Sequence, residues 1–174
     1  MTKQEIRRLL ATECRLHYAN GDFPEWSKSV VERVRSNQAY IDAHCVLLYN
    51  ALWDEVDLSA LFADDKQFVL PTVVGDELEL HLYTSGTATH TGAFGITESG
   101  GPLLTDYGTI DLAIIPGRAF TADGRRLGRG KGYYDRTLPR LRCHTIGVCF
   151  PFQLLSDIPT ETHDHKINEV ITTI

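Results

Sequence analysis

The run Leu112-Ala-Ile-Ile115, inside the longer stretch Ile110 to Pro116, limits the fold more than any other feature of the chain. Four apolar residues in succession leave no polar face, so a strand built from them must be covered on both sides. Sheets covered in that way are parallel, with helices packed over each face. Ala43 to Tyr49, Phe68 to Leu70, Thr145 to Phe150 and the closing Val170 to Thr173 repeat the pattern of short apolar strands. Leu78-Glu-Leu-His-Leu82 instead alternates, as a strand with one exposed face does, and Pro71 is expected to stop the strand before it.

Helical patterns separate these strands. Thr2-Lys-Gln-Glu5 has the form of a capping box, and the spacing of Ile6, Leu9, Leu10 and Glu13 predicts a helix from about Lys3 to Tyr18. Gly21 and Pro24 break the chain, after which Trp26, Val30, Val31 and Val34 mark one face of a second helix ending near Asn37. Shorter helical patterns cover Asp54 to Phe62 and Tyr133 to Leu141, and a Gly-, Thr- and Ser-rich loop runs from Thr84 to Tyr107. The expected architecture is a three-layer α/β/α sandwich with a mostly parallel sheet, one domain over residues 1–174.

With 174 residues, 43% of them apolar, the chain can fill a continuous core. Its formal net charge of -6 argues against coating nucleic acid or an anionic membrane, which needs a surplus of Lys and Arg. No segment approaches the about 18 apolar residues of a membrane span, and the charged N-terminus lacks a signal-like apolar region. Cys14, Cys45, Cys143 and Cys149 are far apart or in apolar contexts, so free buried thiols and a cytoplasmic location are expected.

Against that acidic background, Gly128-Arg-Gly-Lys-Gly132 interleaves glycines and cations just before a helix. Backbone N–H groups and side-chain charges could converge there on a polyphosphate. The spacing is neither a P-loop nor a dinucleotide fingerprint, and a tight turn with solvated charges accounts for a bare three-glycine pattern equally well. Arg125, Arg126, Arg129 and Lys131 crowd within seven residues, a field expected to need an anion to neutralise it. Asp135, in the first helical turn, suits either a magnesium ion or the helix dipole.

The stretch Ile115-Pro-Gly-Arg-Ala-Phe120, followed by Gly124 and Arg126-Leu-Gly-Arg-Gly-Lys-Gly-Tyr-Tyr-Asp135, resembles the signature of 5-formyltetrahydrofolate cyclo-ligases. Lys3-x-x-x-Arg7, Glu55-Val-Asp, Asp164 and the closing Val-Ile-Thr strand occur in the family's order. The resemblance implies an enzyme that closes 5-formyltetrahydrofolate to 5,10-methenyltetrahydrofolate with ATP and Mg2+, a monomer or weak homodimer. It places ATP against Lys3, Arg7 and the segment Arg126, Leu127, Gly128, Arg129, Gly130, Lys131, Gly132, Tyr133 and Tyr134, with Lys131 and Arg129 acting on the transferred phosphoryl group. Asn50, Glu55 and Tyr133 would touch the folate, and Asp135 and Asp164 would hold magnesium. Read without the resemblance, Lys3 and Arg7 are solvated charges, Asn50 is a turn residue and Glu55 is a first-turn carboxylate.

Two departures stand out: Ser99 and Asn168, where the family commonly has a proline and often has a carboxylate. His163-Asp-His165 admits a zinc alternative, though a third ligand is missing from the pattern. A non-catalytic nucleotide-binding module and a metal-dependent hydrolase or sugar-phosphate enzyme are the rival classes.

Overall fold

The computed structural model of the chain describes residues 1–83, 87, 89–92 and 97–173. Helix α1 (Lys3–Asn20) begins as its capping box dictates, with the Glu5 N–H donating to Thr2 Oγ at 3.2 Å and the Thr2 N–H to the Glu5 carboxylate at 2.7 Å. Gly21, at φ +78°, closes it, and Ile6, Leu10 and Cys14 form its buried stripe. Helix α2 (Phe23–Arg35) carries Pro24 in its first turn, where a missing N–H costs nothing, so that proline starts the helix instead of breaking the chain. A short α3 (Gln38–Asp42) follows, capped by the Asn37 side chain, which accepts from the Ala39 N–H at 3.0 Å.

The strands are β1 (Cys45–Leu47), β2 (Gln67–Val74), β3 (Glu77–Tyr83), β4 (Thr89–Thr91), β5 (Thr97–Ser99), β6 (Leu112–Ile115), β7 (Ala119–Thr121) and β8 (Arg126–Leu127). After α4 (Tyr133–Thr137) come β9 (His144–Val148), β10 (Leu154–Leu155) and β11 (Glu169–Ile171). Six of them form the central sheet in the order β11-β9-β6-β1-β2-β3, parallel throughout except that β3 runs antiparallel to β2. A mostly parallel α/β sheet is thus what the apolar runs build.

Side-chain alternation along these strands divides the core. Val46, Leu112, Ile114, Ile146 and Val148 point to the face covered by α2 and α3, packing with Phe23, Val30, Val34 and Tyr40. Cys45, Leu47, Ala113 and Ile115 point to the other face, against Tyr107, Phe120, Leu138 and Ile167. That second face is covered by a short helix, its following 3-10 turn and a small sheet of order β10-β7-β8. Ile6 and Leu10 bring α1 against Ala119 and Leu127 of this small sheet.

Several expected boundaries shift, each for a local reason. Strand β2 runs through Pro71, because β1 ends opposite Val69 and beyond that point, among the described residues, β2 has a strand partner on one side only. The helix expected to reach Leu141 is α-helical only to Thr137: Pro139 removes a donor and crowds the preceding turn, and Leu138–Arg140 is a 3-10 turn. Asp54 to Phe62 is helical only in its last part, as the 3-10 turn Ser59–Ala63, with the Asp57 carboxylate accepting from the Ser59 N–H at 2.9 Å. The stretch expected as a loop from Thr84 to Tyr107 contains the antiparallel pair β4 and β5; residues 84–86, 88 and 93–96 of it lie outside the described residues. Among the described residues no helix is long and apolar enough to cross a membrane.

Candidate active site

The sheet order places β1 between β6 and β2, so the chain departs from β1 to opposite sides, toward β2 and β3 on one and β6, β9 and β11 on the other. Where connections diverge in this way, the carboxyl ends of the two central strands leave a crevice between them. A cavity of about 290 Å³ opens there. Tyr49, Asn50, Leu52 and Glu55 reach it from beyond β1, Pro116 and Gly117 from beyond β6, and Pro71, Val73 and Leu78 from the hairpin of β2 and β3. Apart from Glu98, the remaining wall is the glycine-rich loop and the start of α4: Arg126, Gly128, Arg129, Lys131, Gly132, Tyr133, Tyr134 and Asp135.

Glycine shapes this wall at two points. Gly130 and Gly132 have φ of +98° and +74°, left-handed values that side-chain-bearing residues avoid, and they turn the chain from β8 into α4 within a few residues. From α1, Arg7 donates through Nε to the Gly128 carbonyl at 2.8 Å, so the first helix holds the loop's shoulder. The Arg136 guanidinium donates to the Lys131 carbonyl at 2.9 Å and through Nε to the Asp76 carbonyl at 2.8 Å, tying the other end to the β2–β3 turn.

The charges of the loop are answered from within the protein. Arg125 points away from the cavity to Asp123 and Asp157. Arg126, its side chain 7% exposed, donates through Nε to the Pro116 carbonyl at 2.8 Å and lies 3.4 Å from Asp135; burial pulls its pKa down. Arg129 pairs with both Asp54 and Glu55. Lys131 is the loop cation with no carboxylate in ion-pair range among the described residues. The expectation that an external anion must neutralise the four cations is therefore corrected. Carboxylates as distant in sequence as Asp54 serve three of them, a pairing that no local pattern reveals.

Asp54 is 4% exposed, and Arg118, 7% exposed, pairs with it alongside Arg129, both donating to Oδ2. Burial raises the Asp54 pKa, but the bonds from Arg129 and Arg118 outweigh it and hold the carboxyl below its ordinary value. Glu98 is a second buried acid, reaching the cavity from β5 with Val73 N–H donating to it at 3.2 Å and His90 Nε2 at 3.1 Å. Asp54, Arg118 and Glu98 escaped sequence reasoning. Two signals were available and neither was given a role: Arg118 lies within the Ile115–Phe120 stretch of the signature, and Asp54 precedes Glu55 just beyond an apolar strand.

The cavity has two characters. Leu52, Pro71, Val73, Leu78 and the tyrosine rings form apolar walls suited to a flat ring system, while Arg126, Arg129 and Lys131 with the loop amides suit an anion. Tyr134 packs into the core, its ring 5.1 Å from the Arg126 guanidinium, and burial pushes its phenol far up. Tyr133, half-buried, is left to the cavity, with Arg136 over its ring at 5.7 Å.

A family model described as the 5-formyltetrahydrofolate cyclo-ligase family matches residues 1–173. The chain belongs to that family. A Mus musculus protein named 5-formyltetrahydrofolate cyclo-ligase is 28% identical over 97% of this chain and 88% of its own length. An NMR structure of Aquifex aeolicus 5,10-methenyltetrahydrofolate synthetase superposes with a TM-score of 0.86 at 32% identity, covering 98% of this chain and 89% of that one. A synthetase from Mycoplasma pneumoniae, 22% identical, shares the fold over 99% of both chains with a TM-score of 0.78.

Of the residues singled out by the cyclo-ligase resemblance, Asn50, Glu55, Arg126, Gly128, Arg129, Lys131, Gly132, Tyr133, Tyr134 and Asp135 all border the one cavity. Lys3, Arg7, Leu127, Gly130 and Asp164 do not. Leu127 is 1% exposed and belongs to the core under α1. Asn50 donates to the Thr97 carbonyl at 2.6 Å, and the Glu55 carboxylate also accepts from the Leu52 N–H at 3.0 Å.

Lys3 donates to Asp164 at 2.7 Å and stands 3.4 Å from Glu161. Burial lowers the Lys3 pKa and raises that of Asp164, and their mutual bond outweighs it on both sides. Glu161, His163 and Asp164 bring ligand atoms within 4.8 Å of one another, with Lys3 on two of them; His165 is not part of the group. The two departures from the family pattern have structural duties. Ser99 Oγ donates to the Leu82 carbonyl at 2.7 Å, and the Asn168 side-chain oxygen accepts from the Thr145 N–H and Oγ, both at 2.9 Å.

Proposed function

We propose that this chain is an ATP-dependent 5-formyltetrahydrofolate cyclo-ligase, forming 5,10-methenyltetrahydrofolate, ADP and phosphate. The observation that carries the reading is a cavity in which an apolar, carboxylate-bearing half meets the cationic glycine loop of a chain that belongs to this family. The pterin ring fits the apolar half, with Glu55 and Asn50 as its polar partners and Tyr133 against its face. The triphosphate fits the loop, where backbone N–H groups and Lys131 meet it.

A formyl oxygen is a poor leaving group. In the proposed sequence it attacks the γ-phosphorus, ADP departs, and an imino-phosphate forms at the formyl carbon. The neighbouring nitrogen then attacks that carbon and loses its proton, the ring closes, and the former formyl oxygen leaves with the phosphate, which takes up the proton. No protein nucleophile is required; the chain supplies position and charge, with Lys131 and Arg129 answering negative charge on the moving phosphoryl group. Lys3 and Arg7 act from α1, Arg7 by fixing the Gly128 carbonyl and hence the loop.

The donor set also suits a magnesium ion, since Asp135 presents carboxylate oxygens at the cavity and hard cations take oxygen ligands. Asp135 would hold the ion, and Asp164, whose Oδ2 is bonded to Lys3, would offer it Oδ1. When bound, the ion neutralises phosphate charge. Incubation of the purified protein with 5-formyltetrahydrofolate, with and without Mg-ATP, tests the reading through the absorbance of the methenyl product. Product that forms only with ATP is the expected result; none in either case rejects the function.

A further inference from the structure

Arg118 precedes β7, where its backbone N–H donates to the Leu127 carbonyl at 2.7 Å and its side chain runs inward to Asp54. It lies outside the cavity lining, and Asp54 is the carboxylate it shares with Arg129, which does line the cavity. Arg129 donates to both oxygens of Asp54 and, through Nε and one terminal nitrogen, to Glu55 at 3.1 and 3.0 Å. The four side chains balance: two guanidinium charges against two carboxylates.

This balance determines how firmly Arg129 is held. A buried carboxylate with two guanidinium partners divides its demand between them, and the inner one, 8% exposed in its side chain, cannot leave. The outer one, 38% exposed, can exchange one of its carboxylates for another anion while Asp54 stays neutralised. Were Arg118 uncharged, Arg129 alone would face both Asp54 and Glu55, and the cavity rim would carry an additional negative charge.

We propose that Arg118 is a positioning residue for nucleotide binding: by neutralising Asp54 from behind, it leaves Arg129 free to turn toward a nucleotide polyphosphate. The inference rests on the reading that Arg129 faces the nucleotide. A purely structural Arg118 would instead support Asp54 and the fold without altering the affinity of folded protein for Mg-ATP.

Arg118→Gln keeps a hydrogen-bond donor on Asp54 and removes the charge; it is expected to raise the KM for Mg-ATP about tenfold, the scale of a charge-assisted hydrogen bond, with the KM for 5-formyltetrahydrofolate changed less than about twofold. Arg118→Lys retains the charge though not the planar fork, and its ATP KM is expected to stay within about twofold of wild type. Should the glutamine variant fail to fold, the double variant Asp54→Asn/Arg118→Gln, which removes the buried charge together with its counter-charge, decides: an ATP KM no higher than that of wild type is expected, and a raised one overturns the proposal. An unchanged ATP KM in the folded glutamine variant, a lysine variant as impaired as the glutamine variant, or equal shifts in both substrates' KM values also overturns it. Calorimetric titration of wild type and Arg118→Gln with Mg-ATP separates it from the reaction assignment. Weaker ATP binding by the glutamine variant supports the role even if no methenyl product forms, and equal binding rejects it even if product does.

Discussion

Lys131→Ala separates catalysis from stability most cleanly. Lys131 is exposed on the cavity wall and, among the described residues, has no carboxylate in ion-pair range, so its charge is available to a ligand. Removing one positioned donor that acts on transition-state charge costs about 3–4 kcal/mol, a loss of ~10²–10³ in kcat. The same change breaks no ion pair or buried contact, so the urea midpoint should move by less than the equivalent of about 0.5 kcal/mol.

Arg129→Ala is the contrasting case. It removes four donor contacts from Asp54 and Glu55, and Asp54 retains Arg118. With Arg129 more than one-third exposed, the Coulombic part is screened, and a stability loss of about 1–3 kcal/mol is expected together with lost activity. Methenyl formation followed by absorbance and equilibrium unfolding in urea, run on the same preparations, measure both quantities. Wild-type kcat in Lys131→Ala, or a stability loss as large as that of Arg129→Ala, would refute the reasoning.

Three further outcomes follow from the structure. Asp54 has a pKa below that of the unfolded chain, so its contribution is present above the unfolded value near ~4 and is lost as pH falls through the lower folded value; Asp54→Asn should flatten the fall in urea midpoint below about pH 4, and an identical acid slope would contradict the pairing. Burial pushes the thiol of Cys143 up to about 11 and that of Cys149 up to about 12, so at pH 8 the native protein should leave Cys149 unalkylated and react slowly at Cys143, with all four cysteines reacting after unfolding; mass spectrometry of alkylated peptides reads this directly. Gly124 combines φ +88° with the Ile167 carbonyl where a Cβ would stand, so Gly124→Ala should lose about 2 kcal/mol or more in urea unfolding, and a neutral result would show that the turn relaxes at little cost.

How much of this was legible in the sequence depended on how far apart the interacting groups lie. Periodicity is local, and it was enough for the apolar strands, the sheet type and the capping box of α1. The glycine spacing was also local, and it located the loop that walls the cavity. Arg129 and Asp54 are 75 positions apart, and Arg118 and Asp54 are 64 apart. The crowding of four cations therefore looked like a vacancy for an anion, when the fold had already supplied acids. Pro24 and Pro71 misled for a related reason: a proline's cost is set by whether its neighbour needed the missing N–H, and that neighbour is a matter of tertiary position.

That internal neutralisation changes how an acidic protein can take a polyanion. A cavity lined by three cations and three carboxylates has no net charge with which to attract phosphate. What it has is orientation. Arg126 is already desolvated and fixed on the Pro116 carbonyl, and Arg129 is already held at the rim, so neither pays the ordering cost of a free surface arginine when a phosphate replaces a carboxylate. Exchange of this kind favours a ligand that arrives with its own cation. A metal ion on Asp135 would occupy the carboxylate that now faces Arg126, and the guanidinium released from that pair would then be free for the phosphate. Bare ATP would have to overcome the same carboxylates unaided. With the proposed nucleotide as ligand, the arrangement would favour the metal–nucleotide complex over the free nucleotide, by the charge of a few side chains and not by the charge of the protein.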